Sequence, residues 1–137
     1  VHVCDEFLKK EGFQELASGA DVIVDALGGL ESREALQQTA DELSIPMVTA
    51  AVGGWSGYVA TVFPGQASPG DYFGAAHGAE DSLGCPAPTV ALAASLQCAE
   101  VIAVLLGNRR PEPSGTKATF FDLADSSFHP VMLPTTT

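Results

Sequence analysis

Asp25, Gly28, Gly29 and Arg33 are the residues whose types and spacing best suit chemistry. Asp25 closes the apolar run Val22-Ile23-Val24, Gly28-Gly29 make a turn, and a helix follows from Ser32 with Arg33 in its first turn. In open α/β sheets, ligands bind in the crevice beyond the carboxyl ends of the strands. A carboxylate there, glycines that admit close backbone approach and a nearby cation describe one wall of a nucleotide site. A cation in the first turn opposes the helix dipole, so Arg33 asks for a partner: Asp25 or a phosphate. The plainer readings are an Asp25 carboxylate satisfied by turn amides and a solvated Arg33. No Gly-rich phosphate loop accompanies this turn, so the chain looks like the back half of an enzyme whose front half is missing.

A second constellation is Gly53-Gly54-Trp55-Ser56-Gly57, a loop with backbone freedom around one large aromatic. Cys4, Cys85 and Cys98 are odd in number and widely spaced, with no C-x-x-C pair. That argues against a disulfide framework or a zinc knuckle. His2, His77 and His129 have no cluster partner, and His77 reads as a solvated loop residue.

These residues need elements to position them. Residues 1–4 alternate like the end of a strand. Residues 8–17 are helix-compatible, although Gly12 weakens the pattern. Residues 20–27, a continuous β-branched run and not an alternating one, read as a fully buried parallel strand. Ala35, Leu36, Thr39, Ala40 and Leu43 repeat at helical spacing, with Ser32 as N-cap, so 32–43 is a helix. Pro46 stops it, and 47–51 is the next strand. The result is a β-α-β unit, a crossover that is nearly always right-handed. Residues 58–63 form a further strand, and 66–88 a long loop of the kind that is usually functional or mobile. Residues 89–106 read as a central helix, apolar on nearly every side, which buries Cys98. Gly107 ends it, 109–115 is a linker, and 117–122 with 128–133 close the chain as an antiparallel hairpin before a frayed tail. The resulting divisions are 1–65 for the end of the sheet, 66–88 for the loop, 89–107 for the core helix and 116–133 for the hairpin.

Composition bounds the function. The chain has 137 residues, 46% of them hydrophobic and 17% charged, which suits one well-buried globular unit. Six basic against seventeen acidic residues give a net charge of −11, which argues against a nucleic-acid surface. The same charge serves solubility or repels other anions. The apolar window over 89–106 is long enough for a bilayer, but Ser95, Gln97 and Glu100 interrupt it and its alanines suit a core helix. No membrane association is expected, and without a visible signal peptide the cytoplasm is the default. Val1 with a strand beginning at once fits a trimmed chain better than a natural start.

Three segments in order, ADVIVDALGGLESR, IPMVTAAVGGWSGYVATVFPG and LGCPAPTVALAASLQCAEVIAVLLG, resemble the C-terminal half of the ThiF/MoeB/HesA family, bacterial relatives of ubiquitin-activating enzymes. The resemblance spans essentially the whole chain. It implies an α/β, Rossmann-like ThiF-type fold, of which this chain is the C-terminal half. It further implies a parent that adenylates the C-terminal Gly-Gly of a small ubiquitin-like sulfur-carrier protein with ATP and Mg²⁺, usually as a homodimer. On that resemblance Asp25, Gly28, Gly29 and Arg33 line the nucleotide side, and Gly53, Gly54, Trp55 and Gly57 line the carrier-tail groove. The bland alternative for Trp55 is packing on the sheet edge. The family's phosphate loop and cations lie upstream, so no catalytic residue is assigned here and the fragment alone is expected to be inactive.

Departures from the pattern matter. Gly28 stands where the family carries its second acid, associated with Mg²⁺ and phosphate, and Gly29 where it carries Asn. This points to impaired adenylation, or to glycines that let the backbone approach a ligand. The position of the family's reactive cysteine falls on Glu80, which makes Cys85 an apolar packing site. The zinc-binding cysteine pairs are missing, so no metal is expected. Gln97 and Glu100 match the helix pattern and read as packing or dimer contacts. The rival reading is an adenylation-dead module for carrier docking or dimerisation. A dehydrogenase-like nucleotide domain is a weaker third, supported only by the β-α-β pattern.

Overall fold

Apolar side chains at helical and at alternating spacing sort this chain into two helical layers around one sheet. The computed structural model describes residues 1–73 and 78–135. In order they form α1 (Lys10–Ala17), β1 (Ile23–Asp25), α2 (Leu30–Glu42), β2 (Met47–Gly53), β3 (Ser56–Val62), α3 (Pro69–Phe73), α4 (Ala79–Leu83), α5 (Ala87–Leu105), β4 (Thr116–Asp122) and β5 (Ser127–Leu133). The strands lie side by side in sequence order. β1 and β2 are parallel, as the β-α-β reading requires, and the later pairs are antiparallel.

Alternation along each strand gives the sheet two distinct faces. On one, Ile23, Met47 and Val62 pack with Phe13 of α1 and with Leu36 and Ala40 of α2. On the other, Val48, Ala50, Val59 and Phe121 pack with Ala93, Leu92 and Leu96 of α5. This mixed α/β architecture is the one expected from the sequence.

Several boundaries and burials differ from expectation. Residues 1–4 form no strand, as no described strand pairs with them. β1 is three residues long and alternates, with Ile23 and Asp25 buried but Val24 46% exposed. Among the described residues β1 pairs only with β2, so it is an edge strand rather than a fully buried one. α2 starts at Leu30 with Gly29 as its N-cap at φ 88°, a conformation that glycine tolerates, and Ser32 lies inside the first turn. The stretch 66–88 contains the short helices α3 and α4, and His77 lies outside the described residues.

α5 is not central. It turns Thr89, Ala93 and Gln97 toward the sheet and leaves Val90, Ile102, Leu105 and Leu106 exposed on its other side. An apolar periodicity on all sides does not by itself make a helix central, because this sheet covers only one face of α5. For the same reason Cys98, expected to be buried, is exposed, as is Cys85.

Candidate functional site

Asp25 is the last residue of β1, so its side chain stands at the carboxyl edge of the two parallel strands. It is 3% exposed. Its Oδ1 accepts the Leu27 N–H at 3.1 Å and its Oδ2 accepts the Thr49 hydroxyl at 2.7 Å. Arg33 Nε lies 3.9 Å from Oδ2 and donates to the Leu27 carbonyl at 2.9 Å. The turn-amide reading of Asp25 therefore holds for one oxygen, while Thr49 and the cation of the following helix approach the other. Arg33 does find a partner. It folds back across the turn, which offsets the poor placement of a cation in the first turn of α2.

Between these two residues lies the Gly28-Gly29 turn. Among the described residues, nothing beyond the chain neighbours comes within 4 Å of where a β-carbon would sit on either glycine. The backbone there is open on its side-chain side, leaving room for a ligand to approach the chain directly.

The register adds residues that sequence reasoning missed. Thr49 is the parallel-strand partner of Asp25, which places its hydroxyl beside the carboxylate. Tyr58 pairs with Ala51, two residues further along β2, and so shares that face. Its ring packs on Phe120 with centroids 5.5 Å apart. Burial pushes the Tyr58 phenol above its ordinary range; the Arg33 charge opposes this and the Asp25 charge adds to it. From the opposite face, Gln97 of α5 donates from Nε2 to the carbonyls of Asp25 at 2.8 Å and Val48 at 3.3 Å. A polar Thr49 within an otherwise apolar strand was the one local signal of this cluster. Nothing local marks Tyr58, whereas Gln97 stands in the helix pattern read as packing or dimer contacts, and the structure buries it.

The second predicted constellation is a hairpin. Gly53 pairs with Ser56, which leaves Gly54-Trp55 as a two-residue turn. Gly54 at φ 59° supplies the glycine that a II′ hairpin requires at its first central position. α4 leans on this tip: a β-carbon on Gly53 would sit 2.7 Å from Ala79 Cβ, and Gly54 N–H donates to the Gly84 carbonyl at 2.9 Å. Trp55 is half exposed. Gly57 faces the α5 side instead, where its missing side chain makes space for the Phe121 ring. The structure thus gathers Gly53, Gly54 and Trp55 at one tip and sends Gly57 to the other face.

Arg33 places a guanidinium beside the open glycine turn, a group of the kind that pairs with anions. Asp25 and this turn do not fit a divalent cation. Both oxygens of Asp25 are engaged, and Gly28 supplies no second acid. Among the described residues, no three His, Cys, Asp or Glu side chains gather as a metal site.

Comparison with known proteins agrees with this architecture. No curated protein matches the sequence. Among solved structures, E. coli MccB is similar at 16% identity and a TM-score of 0.68, over 94% of this chain and 41% of that one. Its complex with ATP is similar at 15% identity and a TM-score of 0.64, over 93% of this chain and 41% of that one. PaaA, as the selenomethionine protein, is similar at 14% identity and a TM-score of 0.62, over 92% and 39%. The chain therefore spans about two-fifths of the length of these structures. Residues 1–136 match the ThiF family, and this chain belongs to it.

Proposed function

We propose that this chain forms the nucleotide-facing wall of an ATP-dependent adenylyltransferase, one that acts on the C-terminal carboxylate of a small ubiquitin-like sulfur-carrier protein. The observation that carries this reading is the Asp25–Arg33 pair, held across the open Gly28-Gly29 turn at the carboxyl edge of the parallel strands. In the reaction, a carboxylate oxygen attacks the α-phosphate of ATP, giving an acyl-adenylate and releasing pyrophosphate. Charge builds on phosphate oxygens, and preorganised donors stabilise it. Arg33 and the open turn contribute to that wall. The Mg²⁺ that the family resemblance implies for the parent finds no cluster of three ligands among the described residues of this chain.

Family membership supports the reading. So does the likeness to MccB, which has been crystallised both with ATP and with MccA. The hairpin tip of Gly53, Gly54 and half-exposed Trp55 offers a small-residue, flat-sided seat to a Gly-Gly tail. The exposed apolar side of α5 supports a homodimer. The test is ATP–pyrophosphate exchange by the protein carrying this chain, with carriers ending in Gly-Gly. Carrier-dependent exchange upholds the reading.

A second reading is favoured by one observation: Gly28 supplies no second acid beside Asp25, both of whose oxygens are already engaged. On that reading the chain is a carrier-docking or dimerisation module without adenylation. Carrier binding without exchange would uphold it.

A further inference from the structure

Among the residues that α5 buries, Thr89, Ala93 and Gln97, only Gln97 carries a side-chain amide. A carboxamide has two N–H donors. The Gln97 nitrogen is directed at the carbonyls of Asp25 and Val48, on two neighbouring strands. β1 ends at Asp25, where its ladder to β2 stops. A buried carbonyl at that point must find a partner, and Gln97 reaches 72 residues back along the chain to provide it. That carbonyl belongs to the residue whose carboxylate receives Leu27 and Thr49, and Leu27 in turn receives Arg33.

We infer that Gln97 is a positioning residue, setting the height and tilt of the Asp25–Arg33 turn from the far side of the sheet. The inference rests on the reading of that turn as the nucleotide-facing wall. Methionine matches glutamine in length and volume but donates nothing. Glutamate keeps the shape but turns acceptors toward two carbonyls. The structure assigns Gln97 a role in donation, so both substitutions act on the turn without opening a cavity.

The experiment is residue-resolved amide exchange and ¹H–¹⁵N spectroscopy of the whole chain and of its Gln97→Met and Gln97→Glu variants, each titrated with ATP. The expected result is exchange about tenfold faster at the Leu27 amide and a moved Arg33 Nε–H resonance, with the β4–β5 hairpin unchanged. Shifts confined to Ala93 and Val48, with Leu27 and Arg33 unmoved, would overturn the inference and leave Gln97 a packing residue. Loss of cooperative unfolding in both variants would overturn it too, because the amide would then serve global stability. An ATP titration of the unmodified chain that moves nothing in 25–33 would sink the nucleotide reading instead. A loosened Leu27 amide in Gln97→Met would still uphold the positioning role.

Discussion

Thr49 and Asp25 face each other in register on the parallel strands, and the threonine hydroxyl donates to Asp25 Oδ2 at 2.7 Å. Removing that donor leaves a buried carboxylate oxygen without its shortest bond. Thr49→Val is expected to destabilise the chain by about 1–3 kcal/mol, whereas Thr49→Ser keeps most of the stability. Urea unfolding of the two variants beside the unmodified chain measures the difference.

Gly57 and Gly28 should respond oppositely to a methyl group. At Gly57 a β-carbon meets Phe121 Cζ at 2.6 Å and the Ala51 carbonyl oxygen at 2.7 Å, and the latter is backbone that cannot swing away. Gly57→Ala is expected to cost about 1–3 kcal/mol. Gly28 has nothing within 4 Å among the described residues beyond its chain neighbours, so Gly28→Ala should stay within about 0.5 kcal/mol. Thermal melts of the two alanine variants check the contrast.

Thr89 is fully buried in the first turn of α5, and among the described residues its hydroxyl has no hydrogen-bond partner. Valine has the same shape without the desolvated oxygen. Thr89→Val should stabilise the chain by about 1 kcal/mol, read as a higher denaturation midpoint with an unchanged slope. A lower midpoint would show that the hydroxyl is satisfied in solution.

Arg109 grips Glu100 through two hydrogen bonds, both 2.7 Å, while Thr61 donates to the same carboxylate at 2.9 Å. The Arg109 bonds come first and Thr61 adds to them in holding the Glu100 carboxyl below its usual value of 4.5, against the opposing effect of burial. A carboxylate depressed in the folded state contributes stability above its unfolded value, and that contribution is lost as pH falls through the lower folded value. The pair is partly exposed, so its share is under about 1 kcal/mol. Arg109→Ala should flatten the acid limb of stability below pH 4.5 and leave neutral-pH helicity intact, as followed by circular dichroism.

The exposed thiols test what covers α5. Cys4, Cys85 and Cys98 are all solvent-accessible in a single chain. Equal labelling rates with a thiol reagent are expected at low concentration. Slower labelling of Cys98 alone, growing with protein concentration, is expected if α5 faces pack in the proposed homodimer. Equal rates at every concentration count against that dimer.

Much of the fold was legible because its signals are local. The helical spacing of Leu36 and Ala40, the stop at Pro46 and the apolar runs on either side of α2 specify a β-α-β unit with few long-range assumptions. The glycine punctuation at Gly54 and Gly107 marks a turn and a helix end in the same way. Burial was less legible: α5 reads as central from its composition, yet how much of it is covered depends on the width of the sheet beneath it. Val24 belongs to an apolar run but stands on a strand with one described neighbour.

By itself, the sequence determined that Asp25 ends a strand, that a glycine turn and Arg33 follow it, and that the next strand runs parallel, because each depends on residues a few positions apart. Only the tertiary structure decided that Thr49, Tyr58 and Gln97 surround Asp25. Strand register brings a hydroxyl from 24 residues away, and helix packing brings an amide from 72 residues away. Pairings at that distance arise from how whole elements dock, and docking is set by the summed burial of many apolar side chains, not by any local pattern.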